Sequence, residues 1–460
     1  MRSASWSLHS DARAPFAALL GDWTPDFVAA FLGLASSGWA VGVLDPTWSA
    51  DEVAGALAQL DPCVILFAET KQDLVPTEGW YPESDGLPGW AVLVRDERGV
   101  PAPPPTADSP FYVGFTSGSS GRPKAFVRSH RSWWESFERF SEICPLDPAG
   151  TVLVPGPLSS SHFLFGALHA LHVGATVELV TSGEYSPGYL ARQLATSPAP
   201  TGVYVVPTML AQQAGMPGAG SPEFIFCAGA RLDASVRQQA ARRFPQSGLV
   251  EYYGASELSF VAIQVDGDGT PPGSVGRVFP GVEVSIRDDE DVPVDAGEPG
   301  VIWARSDLVF AGYRGHAPAG GARSLPGGWL TVGDRGALDA DGYLSVAGRG
   351  SALIITGGAN VQPEEVEAVV AGAEGVGECA VVGIPDERWG QLVCAVITPT
   401  TTDTLDRAAL RRHVAQQLAR YKRPRRYLLI EGPLPVGRSG KVDRAAVLDL
   451  VQSGSGQAIT

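Results

Sequence analysis

PDFVAAFLGLASSGWAVGVLDP, Pro25–Pro46, is the stretch that decides the fold class. It reads as an apolar helix, with Gly38 as its stop, followed by a short buried strand. ADEVAGALAQLDPCVILF, starting at Ala50, repeats the order and ends in a strand at Cys63–Phe67. Helices alternating with continuous apolar strands predict a parallel sheet covered on both faces. A proline-rich loop over residues 97–110 leads to a strand at Phe111–Phe115, and the order then recurs. Helices are expected at Trp133–Ile143, Phe163–His172, Gly188–Thr196 and Ala234–Phe244, and strands at Thr151–Val154, Thr176–Val180, Gly202–Val206 and Leu249–Tyr252. These form a second α/β layer. From Gly273 short strands with Gly and Pro punctuation predict an antiparallel or barrel-like subdomain to about residue 348. Beyond Arg349 lies a compact α+β unit of about 110 residues, a size that folds alone. The expectation is an α/β protein with a large N-terminal domain (1–348) and a small, mobile C-terminal domain (349–460). The hinge falls at Gly348–Ser351.

Composition narrows the class of function. Lys and Arg number 34 against 50 Asp and Glu, a net charge of −16. No basic run is long enough to track a phosphate backbone, so nucleic acid is not an expected partner. Exposed charges are screened beyond about 8 Å, so any anion site must be locally basic. The five cysteines, Cys63, Cys144, Cys227, Cys379 and Cys394, are scattered and form no CxxC pair. Neither a disulfide framework nor a zinc site is indicated, and a reducing cytoplasm fits. The first residues lack the apolar core of a signal peptide, and no apolar run reaches the roughly 18 residues of a membrane span.

FTSGSSGRPKA (Phe115–Ala125) sets two glycines, four hydroxyl residues and Lys124 directly after a buried strand, ahead of a helix. Glycines let backbone N–H groups turn inward, hydroxyls donate to phosphate oxygens and the lysine supplies charge. The GK[ST] ending of a Walker motif is absent. Four further stretches follow in order: EYYGASE (Glu251–Glu257), TVGD (Thr331–Asp334), GRGSALIITGGANVQPEEVE (Gly348–Glu367) and LPVGRSGKVDRAAV (Leu434–Val447).

With these five motifs the chain resembles the superfamily of adenylate-forming enzymes: acyl-CoA and aryl-CoA synthetases, peptide-synthetase adenylation domains and beetle luciferases. The resemblance runs from about Pro25 to Val447 and is closest in style to bacterial acyl- and aryl-CoA ligases. It implies that Ser117, Gly118, Ser119, Ser120, Gly121 and Lys124 hold the triphosphate of ATP, with Thr116 in the catalytic set. It implies that Tyr253, beside Tyr252 and Gly254, packs on adenine, that Ser256 stands where the family has a phosphate-binding threonine, and that Glu257 binds Mg²⁺. Asp334 would accept from the ribose hydroxyls, Arg349 would donate to ribose or phosphate, and Lys441 would reach the α-phosphate from the small domain. PLSSSHFLF places His162 near the acid, and FIFCAGARLD places Gly229 and Ala230 along adenine and acyl group. Phe163, Phe165, Tyr204, Phe226 and Phe260 lie on these elements, and such rings suit an apolar or aromatic acid.

The resemblance also has departures. Amino-acid-activating relatives carry an aspartate early in the His162 segment, where this chain has Leu158 and three serines, which disfavours an α-amino acid. The N-terminal part is several tens of residues shorter than is usual in the family. Ser351 stands at the usual Asp or Lys hinge, Ala125 at a common glycine and Ala359 at a common glutamate. The implied reaction is adenylation of a carboxylic acid with release of pyrophosphate, then transfer to a thiol, foremost that of CoA. A carrier protein's phosphopantetheine, an amine or another nucleophile is the alternative acceptor. A nucleotide-binding chain without catalysis is the third reading, and a homodimer is a further expectation.

Overall fold

The computed structural model describes residues 15–83, 88–95, 104–116, 124–181, 186–196, 200–216, 220–315, 321–349, 354–356, 359–361, 363–386, 390–400, 405–418, 420, 422–437, 442–454 and 457–458. The helix read first is Pro25–Ser36, and its ends follow from local chemistry. The Thr24 side chain accepts from the Phe27 N–H, Pro25 occupies the first turn, and Gly38, at φ 88°, takes the left-handed turn after the cap. The next helix, Ala50–Leu60, opens on a capping box between Ser49 and Glu52. Each returns the chain to a buried strand, Ala40–Leu44 and Val64–Ala68.

Contacts divide the chain into two units. The first comprises residues up to Leu232 with Gln239–Ser285 and Trp303–Val332. Its eight-stranded sheet has a parallel centre, in the order Pro110–Thr116, Ala40–Leu44, Phe16–Leu20 and Val64–Ala68. Antiparallel strands extend both edges: Lys124–Ser129 and then Gly312–Tyr313 on one side, Trp90–Val94 and Tyr81–Glu83 on the other. A second sheet runs parallel through Thr176–Leu179, Thr151–Val154, Pro200–Val205, Phe224–Cys227 and Gly248–Ala255, then antiparallel through Ser259–Val265 and Ser274–Val278. The helix His130–Ile143 turns Trp133, Phe137 and Phe140 into the core.

The second unit comprises Asp233–Gln238, Ile286–Ile302 and the chain from Gly333. Here Asp334–Leu338 pairs with Gly300–Val301 and with Tyr343–Arg349. A separate sheet is built on the long hairpin Val376–Asp386 and Gly390–Pro399, with Arg426–Leu429 parallel to the latter. The helices Pro363–Ala371 and Arg407–Gln417 supply Val366, Val370, Leu410 and Val414 to its core.

The strands after Gly273 pair antiparallel, one of the two arrangements expected, in open ladders, and no closed barrel exists among the described residues. Each short strand finds an antiparallel partner at a sheet edge, so closure is not needed to satisfy its backbone. Nor does the Ser/Gly-rich loop lead straight into a helix. Lys124–Ser129 intervenes as a strand folded back on Pro110–Thr116, because KAFVRS supplies a buried face and the edge of the sheet offers an unpaired ladder.

That strand also carries a buried cation. Arg128 donates through Nε to Ser132 Oγ (3.0 Å) and through Nη2 to Ser259 Oγ (3.1 Å) and the Ser132 carbonyl (3.3 Å). It has no carboxylate partner among the described residues, and burial brings its pKa down to about 10.

Candidate active site

The loop Ser117–Pro123 lies outside the described residues, as do Ser351, the Gly357–Gly358 stretch and Lys441. Its two ends are fixed all the same: Thr116 pairs with Lys124 and Phe115 with Ala125. The half-buried Lys124 therefore opens a strand held on both sides. On its outer edge the Ala311 N–H donates to the Val127 carbonyl (2.8 Å) and the Arg314 N–H to the Ala125 carbonyl (2.8 Å).

The residues expected at adenine and metal gather where the parallel strands of the second sheet end. Phe224–Cys227 and Gly248–Ala255 run side by side with Cys227 opposite Glu251, so Gly229 and Ala230 leave the sheet at the end where Tyr252, Tyr253 and Gly254 lie. Open α/β sheets bind ligands at such carboxyl ends. Gly229, at φ 96°, adopts a backbone that favours glycine. At Gly254 a Cβ would lie 2.0 Å from the Ser259 carbonyl oxygen, so the close turn into Ser256 and Glu257 requires glycine. Glu257 is buried, and its backbone carbonyl accepts from the Phe310 N–H (2.9 Å). Its Oε1 accepts from the Tyr313 hydroxyl (2.8 Å).

His162 sits in the first turn of the helix Ser161–Val173. Its Nε2 lies 3.0 Å from the Val205 carbonyl, which can only accept, so Nε2 carries the proton. Nδ1 then accepts from the Tyr252 hydroxyl at 2.5 Å. Both ring nitrogens are thus engaged, and burial holds the Tyr252 phenol well above its usual pKa. His162 anchors Tyr252. Phe163, Phe165, Tyr204, Phe226 and Phe260, expected along the acid pocket, are buried in one packed cluster; Phe165 and Phe260 lie 4.9 Å apart and Tyr204 and Phe226 4.6 Å apart.

In the second unit the register of one ladder pairs Asp334 with Arg349. The ribose candidates, distant in sequence, are neighbours across two strands, and Asp334 is buried. The loop bearing Lys441 is closed at its base by a bridge between Val436 and Val442 and by the Asp443 N–H donating to the Pro435 carbonyl (2.9 Å). Asp443 caps the helix Arg444–Gln452. Arg444 Nη2 then reaches Glu364 (2.9 Å) and Glu367 (2.8 Å), clamping that helix to Pro363–Ala371. Neither Tyr313 nor Arg444 was expected to matter. Tyr313 has no spacing signal toward Glu257, and Arg444 lies inside the lysine motif with no spacing signal toward Glu364 or Glu367.

The donors suit magnesium. A hard divalent cation takes one or two carboxylates alongside phosphate and water oxygens. Glu257 offers a buried carboxylate with one oxygen tied to Tyr313 and no other side-chain bond among the described residues. No group of three or more metal-ligating side chains occurs among those residues.

Fold and site together define an adenylate-forming enzyme. The family model described as "AMP-binding enzyme" matches residues 12–314, and "AMP-binding enzyme C-terminal domain" matches residues 365–441. The chain belongs to the AMP-binding enzyme family. It is 35% identical to the uncharacterized acyl-CoA ligase YhfT of Bacillus subtilis, over 97% of this chain and 90% of that protein. It is 32% identical to a sulfoacetate–CoA ligase of Cupriavidus necator, over 82% of this chain and 73% of the relative. Among solved structures, the amide bond synthetase McbA of Marinactinospora thermotolerans superposes with a TM-score of 0.80 at 27% identity, covering 95% of this chain and 90% of that one.

Proposed function

We propose that this chain is an AMP-forming acid–thiol ligase that activates a carboxylic acid with ATP and passes the acyl group to the thiol of CoA. The observation that carries the reading is the segment Phe310–Arg314, which bonds both the strand opened by Lys124 and the carboxylate Glu257. A phosphate-binding lysine and a metal-binding acid thereby share one hydrogen-bonded support.

In the first step a carboxylate oxygen of the acid attacks the α-phosphorus, the bond to the bridging oxygen breaks, and pyrophosphate leaves. Lys124 and the loop before it hold the triphosphate, Tyr253 packs on adenine, Gly229 and Ala230 line nucleotide and acyl group, and Ser256 donates to phosphate. Asp334 accepts from the ribose hydroxyls and Arg349 donates beside it. Glu257 would hold magnesium, which neutralises phosphate charge when bound. Lys441 meets charge that builds at the α-phosphorus, so it stabilises the transition state more than the ground state. In the second step the thiol sulfur attacks the acyl carbon, its proton passes to solvent and AMP leaves. Part of the proposal is that the small domain, 349–460, turns about Ser351 between steps, withdrawing Lys441 and bringing in the Gly357–Gly358 loop. A cytoplasmic location and a homodimer belong to the same reading; among the described residues no helix is long and apolar enough to cross a membrane.

An α-amino acid is disfavoured as the substrate, since Leu158 and the serines after it stand where amino-acid-activating relatives carry an aspartate. CoA is favoured as acceptor because the two sequence relatives are named as CoA ligases. An amine or a carrier-protein thiol is the second reading, supported by the likeness to an amide bond synthetase. Pyrophosphate release is the test, run over fatty, aromatic, sulfonated and amino acids with CoA, a carrier protein or an amine present. At least one non-amino acid should give signal and a CoA thioester, and Lys441→Ala should remove the signal. No signal with any acid, or an unimpaired K441A, refutes adenylation through Lys441. Acyl-adenylate that accumulates under saturating CoA moves the acceptor to the second reading.

A further inference from the structure

We propose that Tyr313 is a positioning residue for the metal: its hydroxyl holds the Glu257 carboxylate in the orientation that binds the divalent cation accompanying ATP. The inference rests on the reading of Glu257 as the metal ligand. Three observations carry it. The Tyr313 hydroxyl accepts from the Ala322 N–H at 3.0 Å, which fills its acceptor side and turns its proton toward Glu257 Oε1, 2.8 Å away. Both residues are buried, so water does not replace this bond. The segment is itself fixed, because Gly312 pairs with Val127 and Tyr313 with Phe126, while Phe310 bonds the Glu257 backbone. A carboxylate on a free side chain must be ordered when a cation arrives; one held by a fixed phenol is ordered beforehand. Gly312, at φ 136°, gives the backbone a conformation side chains rarely adopt, directly before the tyrosine.

The test needs no knowledge of the acid. Mn²⁺ is titrated by electron paramagnetic resonance into the full-length protein saturated with α,β-methylene-ATP, for wild type, Tyr313→Phe, Glu257→Gln and the double variant. Phe keeps the ring and its edge contact with Phe310, 4.9 Å between centroids, and removes only the hydroxyl. Loss of a hydrogen bond to a charged group should weaken Mn²⁺ about tenfold, with metal-free binding of the analogue changed less than about twofold. Because Tyr313 acts through Glu257, adding Y313F to E257Q should change the Mn²⁺ constant no further. If E257Q weakens Mn²⁺ and Y313F does not, or if the two effects add, the positioning role is overturned. If E257Q binds Mn²⁺ like wild type, the metal reading of Glu257 fails, and this inference with it. Should Y313F not fold, 3,5-difluorotyrosine placed at 313 keeps the contacts and makes the phenol a stronger donor. An unchanged Mn²⁺ constant in that protein overturns the proposal.

Discussion

Two regions of the molecule hold a functional group in place by different physics. Glu257 is fixed by buried bonds from a phenol and from backbone, and the same short segment grips the strand of Lys124. The helix that follows Lys441 is anchored by its Asp443 cap and an ion triad in which Arg444 is about a third exposed. Buried ties of the first kind are nearly indifferent to salt, whereas partly exposed ion pairs are screened by it. The ties on Glu257 are therefore little changed by salt, and those on the helix after Lys441 are weakened by it.

The comparison can be broken most directly at the lysine. Lys441→Ala should cost adenylation on the order of 10²–10³, about 3–4 kcal/mol, while thioester formation from supplied acyl-adenylate stays near wild type. Equal loss in both half-reactions would show that the loop is not specific to the first step. Arg444→Met leaves Glu364 and Glu367 without their cation. A destabilisation of about 2–3 kcal/mol is expected in urea melts, toward the low end for a broken buried pair because these groups retain some water. The adenylation rate should fall with it and its salt dependence should flatten.

Acid sharpens the contrast from the other side. His169, on the helix that begins beside His162, is stacked on Phe165 with its pKa lowered to about 3 by burial and by nearby His172. The folded protein then binds fewer protons than the unfolded chain between pH 3 and the ordinary 6.5, so stability is lost as pH falls through that window. At pH 5 the loss should reach about 2 kcal/mol, measured as a fall in Tm that His169→Phe makes shallower. The smallest effect belongs to the exposed pair Arg305–Glu283, where R305A should leave the melting curve unchanged.

Much of this was legible in the chain. Helix–strand alternation with continuous apolar strands pointed to parallel sheets, and caps such as Thr24 and Ser49 carry their own chemistry. Boundaries erred by up to three residues, as at His130–Ile143 and Gly248–Ala255. The strand Lys124–Ser129 was missed because an antiparallel edge added to a parallel sheet has no periodicity of its own, only a neighbour with unpaired backbone. Tyr313 was illegible for a similar reason: its partner is set by where Gly312–Tyr313 docks on that unforeseen strand. The pairing of Asp334 with Arg349 likewise depends on register. Rings such as Phe226 and Phe260 invited a pocket reading, and the structure shows them buried.

Arg128 has a consequence for how such a chain drifts. A guanidinium with three neutral oxygens and no acid among the described residues gives up most of its hydration on folding, and an apolar side chain of similar volume would spare the fold that loss. Position 128 is thus a place where selection for heat resistance alone would favour an apolar side chain.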